Sequence, residues 1–210
     1  MIKTTSSSQD EIIKNIMTLY KIREFTLDPC YSKGNFYKNI PQPLHCYDVA
    51  PQHSWIKQSE AFEVPLAEGS CDSIIFDPPF LATKGPSLRE STGNIILKRF
   101  SVFPTEGELF TFYWKSLKHF YSLLRQGGVL VVKCQDKVSS SKQYFSHIYI
   151  HNMALEIGFY PKDLFILVNE KKMLGFWKDC KQQHAAKTHC YFWVFKKEKA
   201  KVDLNKLIGD

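Results

Sequence analysis

Apolar residues along this chain fall into short continuous runs separated by amphipathic stretches. That is the pattern of an α/β sandwich whose strands are buried on both faces. The clearest runs predict strands over Ser73–Phe76 (SIIF), Val129–Lys133 (VLVVK), Asp163–Val168 (DLFILV) and His189–Phe195 (HCYFWVF). Two shorter ones, FTLD at Phe25–Asp28 and LHCYD at Leu44–Asp48, read as strands bounded by prolines, and a brief extended piece is expected over Phe62–Pro65. Helical spacing appears first at Ile12, Ile13, Ile16, Leu19 and Tyr20, with Ser8 as N-cap and Glu11 completing a capping box. It recurs from about Thr105 to Leu124, where Gly127-Gly128 follows, and from Gln143 to Ile157, where Gly158 follows. A short helix is expected from about Lys33. No helical pattern separates the last two strands, so they are expected to pair antiparallel at the edge of a mostly parallel sheet.

The 210 residues suffice for one substantial core. The organisation read from the pattern is a loose polar segment over residues 1–8, a domain over 9–197 and a basic tail over 198–210. Residues 81–104 lack periodicity and carry Lys84 and Arg89, as a lid-like excursion would. The segment before the last strand, NEKKMLGFWKDCKQQHAAKT, is basic and holds Phe176, Trp177, Lys178, Lys181 and His184. A formal charge of +7 favours a polyanionic partner and says nothing about fold. Six cysteines without a CxxC pair suit a reduced chain, and Cys180, His184 and His189 match no zinc spacing, so no metal is expected. With no apolar leader and no run of transmembrane length, a cytoplasmic protein is expected, or a nuclear one in a host with a nucleus, without membrane association.

Ligands of open α/β sheets bind beyond the carboxyl ends of the strands. Four such ends carry polar or turn residues here: Asp28-Pro29, Asp48, Asp77-Pro78-Pro79-Phe80 and Lys133-Cys134-Gln135-Asp136. The third has the sharpest chemistry. An exocyclic amine on adenine or cytosine is a poor nucleophile, because its lone pair is delocalised into the ring. A carboxylate (Asp77) and a carbonyl (Pro78) that accept its two N–H bonds stabilise the nitrogen as it becomes tetrahedral. Consecutive prolines stiffen such a turn, and Phe80 can stack on a base.

The segment IIFDPPF resembles the (D/N/S)PP(Y/F/W) motif of the S-adenosylmethionine-dependent amino-methyltransferases acting on adenine N6 or cytosine N4. The likeness runs in order from about Phe25 to Phe195, and DPPF is its specific part. It implies a Rossmann-like single-domain methyltransferase with S-adenosylmethionine as cofactor. On this resemblance Asp77, Pro78, Pro79 and Phe80 are the catalytic segment, with Asp77 between cofactor and acceptor. FTLDPCYSKGNFY stands in place of the family's cofactor loop, so Asp28, Pro29, Cys30 and Tyr31 would approach the methionine part, with Gly34 in the loop. It departs from the family in having one glycine there rather than a cluster. Asp48 would accept the ribose hydroxyls, and Lys133 and Gln135 would line the target pocket. The implied partner is nucleic acid, DNA before RNA, with Lys84, Arg89, Lys178, Lys181 and His184 toward phosphates and Phe176 or Trp177 against a base. The competing readings are an RNA adenine methyltransferase, a protein-lysine methyltransferase and a non-catalytic nucleic-acid-binding protein on the same scaffold.

Overall fold

The computed structural model describes residues 1–82, 103–169 and 183–200. Its elements run β1 (Thr5–Ser6), α1 (Gln9–Tyr20), β2 (Leu27–Asp28), a single 3-10 turn (Asn35–Lys38), β3 (His45–Asp48), β4 (Lys57–Gln58) and β5 (Cys71–Phe76). After them come α2 (Glu106–Leu123), β6 (Leu124–Cys134), β7 (Lys137–Ser139), β8 (Lys142–Tyr144), α3 (Ser146–Ile157), β9 (Tyr160–Val168) and β10 (His189–Lys196). Eight strands form one sheet in the order β1-β9-β10-β6-β5-β2-β3-β4, and β7 pairs with β8 as a separate hairpin. Strand β10 is antiparallel to both β6 and β9, while the other pairings of the large sheet are parallel. The order reverses between β2 and β5, which face each other through Leu27 and Ile74. A cleft opens at such a reversal because the chain leaves the two strands in opposite directions.

Alternation along β6 shows how the sheet is buried on both sides. Leu130 and Val132 point to α2 and α3, where Phe76, Phe120, Leu117 and Ile150 form one core. Val129 and Val131 point the other way, to Ile12, Ile13 and Ile16 of α1 and to Phe36 and Tyr37 of the 3-10 turn. At the start of α1 the Ser8 hydroxyl accepts from the Glu11 amide as expected of an N-cap, but the box is not closed: the Glu11 carboxylate accepts from the Ser6 hydroxyl, and the Ser8 amide donates to Ser6 Oγ. Thr105 caps α2 through the Glu108 amide.

Four segments differ from the sequence pattern, each for a local reason. Residues 62–65 are not a strand: the chain turns there, with Glu63 donating to the Glu60 carbonyl and Leu66 to that of Val64. The strand at that sheet edge is β4, only two residues long and exposed on both, so no apolar run announces it. Gly127 and Gly128 lie inside β6 rather than before it. They sit where the pairing with β5 shifts between Cys71 and Ser73, and a Cβ on Gly128 would lie 2.9 Å from the Arg125 carbonyl oxygen. Helix α3 starts at Ser146 instead of Gln143 because the β7–β8 hairpin precedes it, turning on Ser140 and Ser141, both at positive φ. Hairpin turns of that kind usually advertise themselves with Asn or Gly. At the N-terminus, Thr5 and Ser6 pair with Ile166 and Leu167, so part of the loosely patterned first eight residues joins the sheet as β1.

The core of the α2–α3 face yields a direct test. Phe120 is fully buried and meets Phe76 edge-on at 4.9 Å between ring centroids. Phe120→Ala should cost about 3–5 kcal/mol of unfolding free energy, read as a lower denaturant midpoint at unchanged slope.

Candidate active site

At the carboxyl edge of the sheet a cavity of about 570 Å³ opens over the reversal point. Its wall brings together Asp28, Pro29, Cys30 and Tyr31 from the end of β2, Asp48 from β3, Asp77 and Pro79 from β5, and Lys133 from β6. Strand register explains part of this gathering. Ile75 pairs with Val131 and Phe76 with Val132, so the next rung sets Asp77 beside Lys133. The Lys133 ammonium donates to Asp77 Oδ2 at 3.2 Å and lies over the rings of Phe36 (5.0 Å), Phe80 (5.8 Å) and Phe192 (5.9 Å). Burial pushes the Asp77 carboxyl above the usual carboxylate range, and Lys133 pulls it back part of the way.

The loop after β2 is organised by two carboxylates. Asp28, 2% exposed, accepts from the Cys30 amide (2.9 Å) and from the Tyr37 hydroxyl (2.6 Å). Burial still dominates and pushes its carboxyl up to about 7, with Asp77 and Asp48 adding to the rise. Asp48 accepts from the Ser32 amide at 2.7 Å and the Ala50 amide at 2.8 Å, one on each oxygen. Each oxygen keeps lone-pair capacity after those bonds. Tyr31 stacks flat on Tyr37 at 5.2 Å, meets Trp55 edge-on, and bonds Gln42 through its hydroxyl. Gly34 does not line the cavity. It holds the loop at φ +65 and starts the 3-10 turn, and a Cβ there would sit 2.3 Å from the Tyr31 oxygen.

The Asp77–Phe80 turn is tied from the α2 side as well: the Tyr113 hydroxyl donates to the Pro79 carbonyl at 2.6 Å, and Lys137 Nζ to the Phe80 carbonyl at 2.7 Å. Gln135 faces another task, donating to the carbonyls of Lys187 and His189 and so joining the end of β6 to the start of β10. His184 is exposed on the segment leading into β10. Lys84, Arg89, Phe176, Trp177, Lys178 and Lys181 lie outside the described residues.

The structure adds wall residues that the sequence did not disclose, notably Glu60, Ala61, Gln52, Asn35, Phe103 and Phe112. Glu60 stands two residues beyond β4, an acid past a strand end like the other three. The signal was there, but Lys57 and Gln58 carry no strand pattern to mark the position. Among the described residues the cavity therefore gathers four carboxylates, Asp28, Asp48, Glu60 and Asp77, against the ammonium of Lys133.

No family model and no curated protein matches the chain. Among solved structures, a candidate sarcosine dimethylglycine methyltransferase from Galdieria sulphuraria superposes with a TM-score of 0.56 at 12% identity, over 96% of this chain and 95% of that one. A candidate DNA modification methylase from Thermus thermophilus, complexed with S-adenosyl-L-methionine, gives 0.47 at 16% identity over 69% of this chain. The cytosine-N4-specific PvuII DNA methyltransferase gives 0.49 at 14% over 73%. The chain matches about half the length of the last two, 56% and 52%. The full-length superposition shows the fold, a Rossmann-like α/β sheet that this chain shares with the Galdieria protein. Among the described residues no helix is long and apolar enough to cross a membrane.

The buried Asp28 carboxyl makes a prediction about pH. Its folded value, about 7, lies above its ordinary 3.8, so the folded state favours the protonated form. The stabilisation this gives is complete below about pH 4 and is lost as pH rises through about 7. Relative to Asp28→Asn, which cannot titrate, the wild-type protein should lose stability between pH 5 and pH 8. Urea midpoints of both proteins at each pH measure it, and a constant difference would count against the buried carboxyl.

Proposed function

We propose that this chain is an S-adenosylmethionine-dependent N-methyltransferase whose acceptor is the exocyclic amine of a nucleic-acid base, adenine N6 in DNA first. The observation that carries the reading is the Asp77–Lys133 pair at the head of a doubly anchored DPPF turn, opening onto an acidic cavity at the reversal point of the sheet.

The residues present fit the cofactor. Its sulfonium and ammonium make it cationic, and four carboxylates face the cavity. Asp48, oriented by two backbone amides, has the acceptor geometry a ribose diol requires. Ala61, Phe103 and Phe112 offer apolar surface to an adenine ring. When bound, the cofactor supplies a methyl group made electrophilic by the sulfonium.

The chain's own contribution is alignment and charge. Asp77 and the Pro78 carbonyl are the acceptors for the two N–H bonds of the incoming amine, which sharpens its lone pair as attack proceeds. The Lys133 ammonium, 3.2 Å from Asp77 Oδ2, lowers the carboxyl against the rise that burial imposes and holds that oxygen in place. Methyl transfer adds a proton-bearing positive charge to the amine, and that proton leaves to water afterwards, so no strong base is required. The net charge of +7 supports a polyanionic substrate.

Transfer of labelled methyl groups to duplex DNA, single-stranded DNA, total RNA and a protein extract tests the reading, with nucleosides resolved by mass. Label should appear as N6-methyladenine, and Asp77→Ala should lower the rate on the order of 10²-fold or more. No transfer to any pool, together with no calorimetric binding of S-adenosylmethionine, would overturn it.

A further inference from the structure

The DPPF turn has an imbalance built into its sequence. Pro78 and Pro79 contribute carbonyls but no N–H groups, and among the described residues no backbone bond closes the turn on itself. Its acceptors must be met from elsewhere in the fold. Two are: the Pro79 carbonyl takes the Tyr113 hydroxyl at 2.6 Å, and the Phe80 carbonyl takes Lys137 Nζ at 2.7 Å. Among the described residues none donates to the Pro78 carbonyl or to Asp77 Oδ1.

The Lys137 ammonium is itself held. Glu106 Oε2 lies 2.6 Å away, and both side chains are nearly buried, 10% and 12% exposed. Glu106 opens α2 behind the Thr105 cap, and Lys137 opens the β7–β8 hairpin. A buried ion pair of this kind is costly to desolvate and adds little to stability on balance. It brings a fixed donor to one carbonyl. Burial keeps Tyr113 protonated, and hence a donor, far beyond neutral pH.

We propose that Tyr113 and the Lys137–Glu106 pair are positioning residues for methyl transfer: they hold the Pro79 and Phe80 carbonyls and leave Asp77 and the Pro78 carbonyl as the acceptors for the amine. This rests on the function proposed above. The clamp joins three elements, α2, the β7–β8 hairpin and the end of β5, around one turn. Its role is to fix the angle between the Asp77 carboxylate and the Pro78 carbonyl. Cofactor affinity belongs to the opposite wall, the Asp28–Tyr37 loop and Asp48.

Two variants test the clamp in the full chain. Tyr113→Phe removes one hydroxyl and keeps the ring, and Lys137→Met with Glu106→Gln removes both charges together, leaving neither buried alone. Each should lower kcat on the order of tenfold to a hundredfold, with acceptor KM and S-adenosylmethionine affinity within about threefold of wild type. Lys137→Arg, which keeps a charged donor beside Glu106, should retain more activity than the double variant. Amide exchange of the peptide spanning Phe80–Ala82 should quicken in both variants while that of Asp28–Tyr37 stays unchanged. Unchanged kcat in both variants, or kcat and cofactor affinity falling together with the melting temperature, overturns the proposal. If the wild-type protein methylates no substrate, the functional reading fails, and amide exchange alone decides the clamp: quicker exchange in the variants supports it, and equal exchange overturns it.

Discussion

The site depends on one register. Strands β5 and β6 run parallel with Phe76 opposite Val132, and everything at the carboxyl edge is placed from that rung outward. One residue further on, the pairing sets Asp77 against Lys133 on the α1 side of the sheet. There the same face of β6 already carries Val129 and Val131. A slip of one residue would send Lys133 into the α2–α3 core and turn Asp77 away from it, because side-chain direction reverses at every position. Such a slip is costly because it would bury the Lys133 ammonium among apolar side chains, and the bulge at Gly127–Gly128 fixes the phase at the other end.

Charge in the cavity follows from where the parallel strands end. Four carboxylates of the described residues converge in a space of about 570 Å³ with Lys133 beside them. Burial raises the Asp28 carboxyl to about 7 and the Asp77 carboxyl above its ordinary range, while backbone amides turn Asp48 into an oriented acceptor.

The connection from β2 to β3 does without the usual helix. Parallel neighbours are usually joined through a helix, yet here Pro29–Leu44 contains only the 3-10 turn. Aromatic packing takes over the helix's task. Tyr31 and Tyr37 stack on each other, Phe36 reaches Phe192 across the sheet, and Tyr37 closes onto Asp28. With that scaffold the loop manages with Gly34 as its one glycine, where the conformation is left-handed and the Tyr31 ring approaches the backbone.

Continuous apolar runs determined the sheet's main strands, and capping residues determined where α1 and α2 begin, since both are local properties of the chain. The acids at Asp28, Asp48 and Asp77 were legible because each ends a run that reads as a strand. Glu60 was not, because its strand is two exposed residues held only by pairing with β3. The hairpin at Ser140–Ser141 was hidden for a similar reason, its turn being set by serines at positive φ. Gln135 was legible as a polar strand end, yet its contacts with Lys187 and His189 depend on where β10 inserts. Tertiary structure alone decided the partners of the DPPF turn, because Lys133, Tyr113, Lys137 and Glu106 lie 26 to 60 residues away along the chain. Sequence fixes which groups are available to such a site. Only the packing of the sheet and its helices decides which of them meet, because the parallel register and the placement of α2 set those distances.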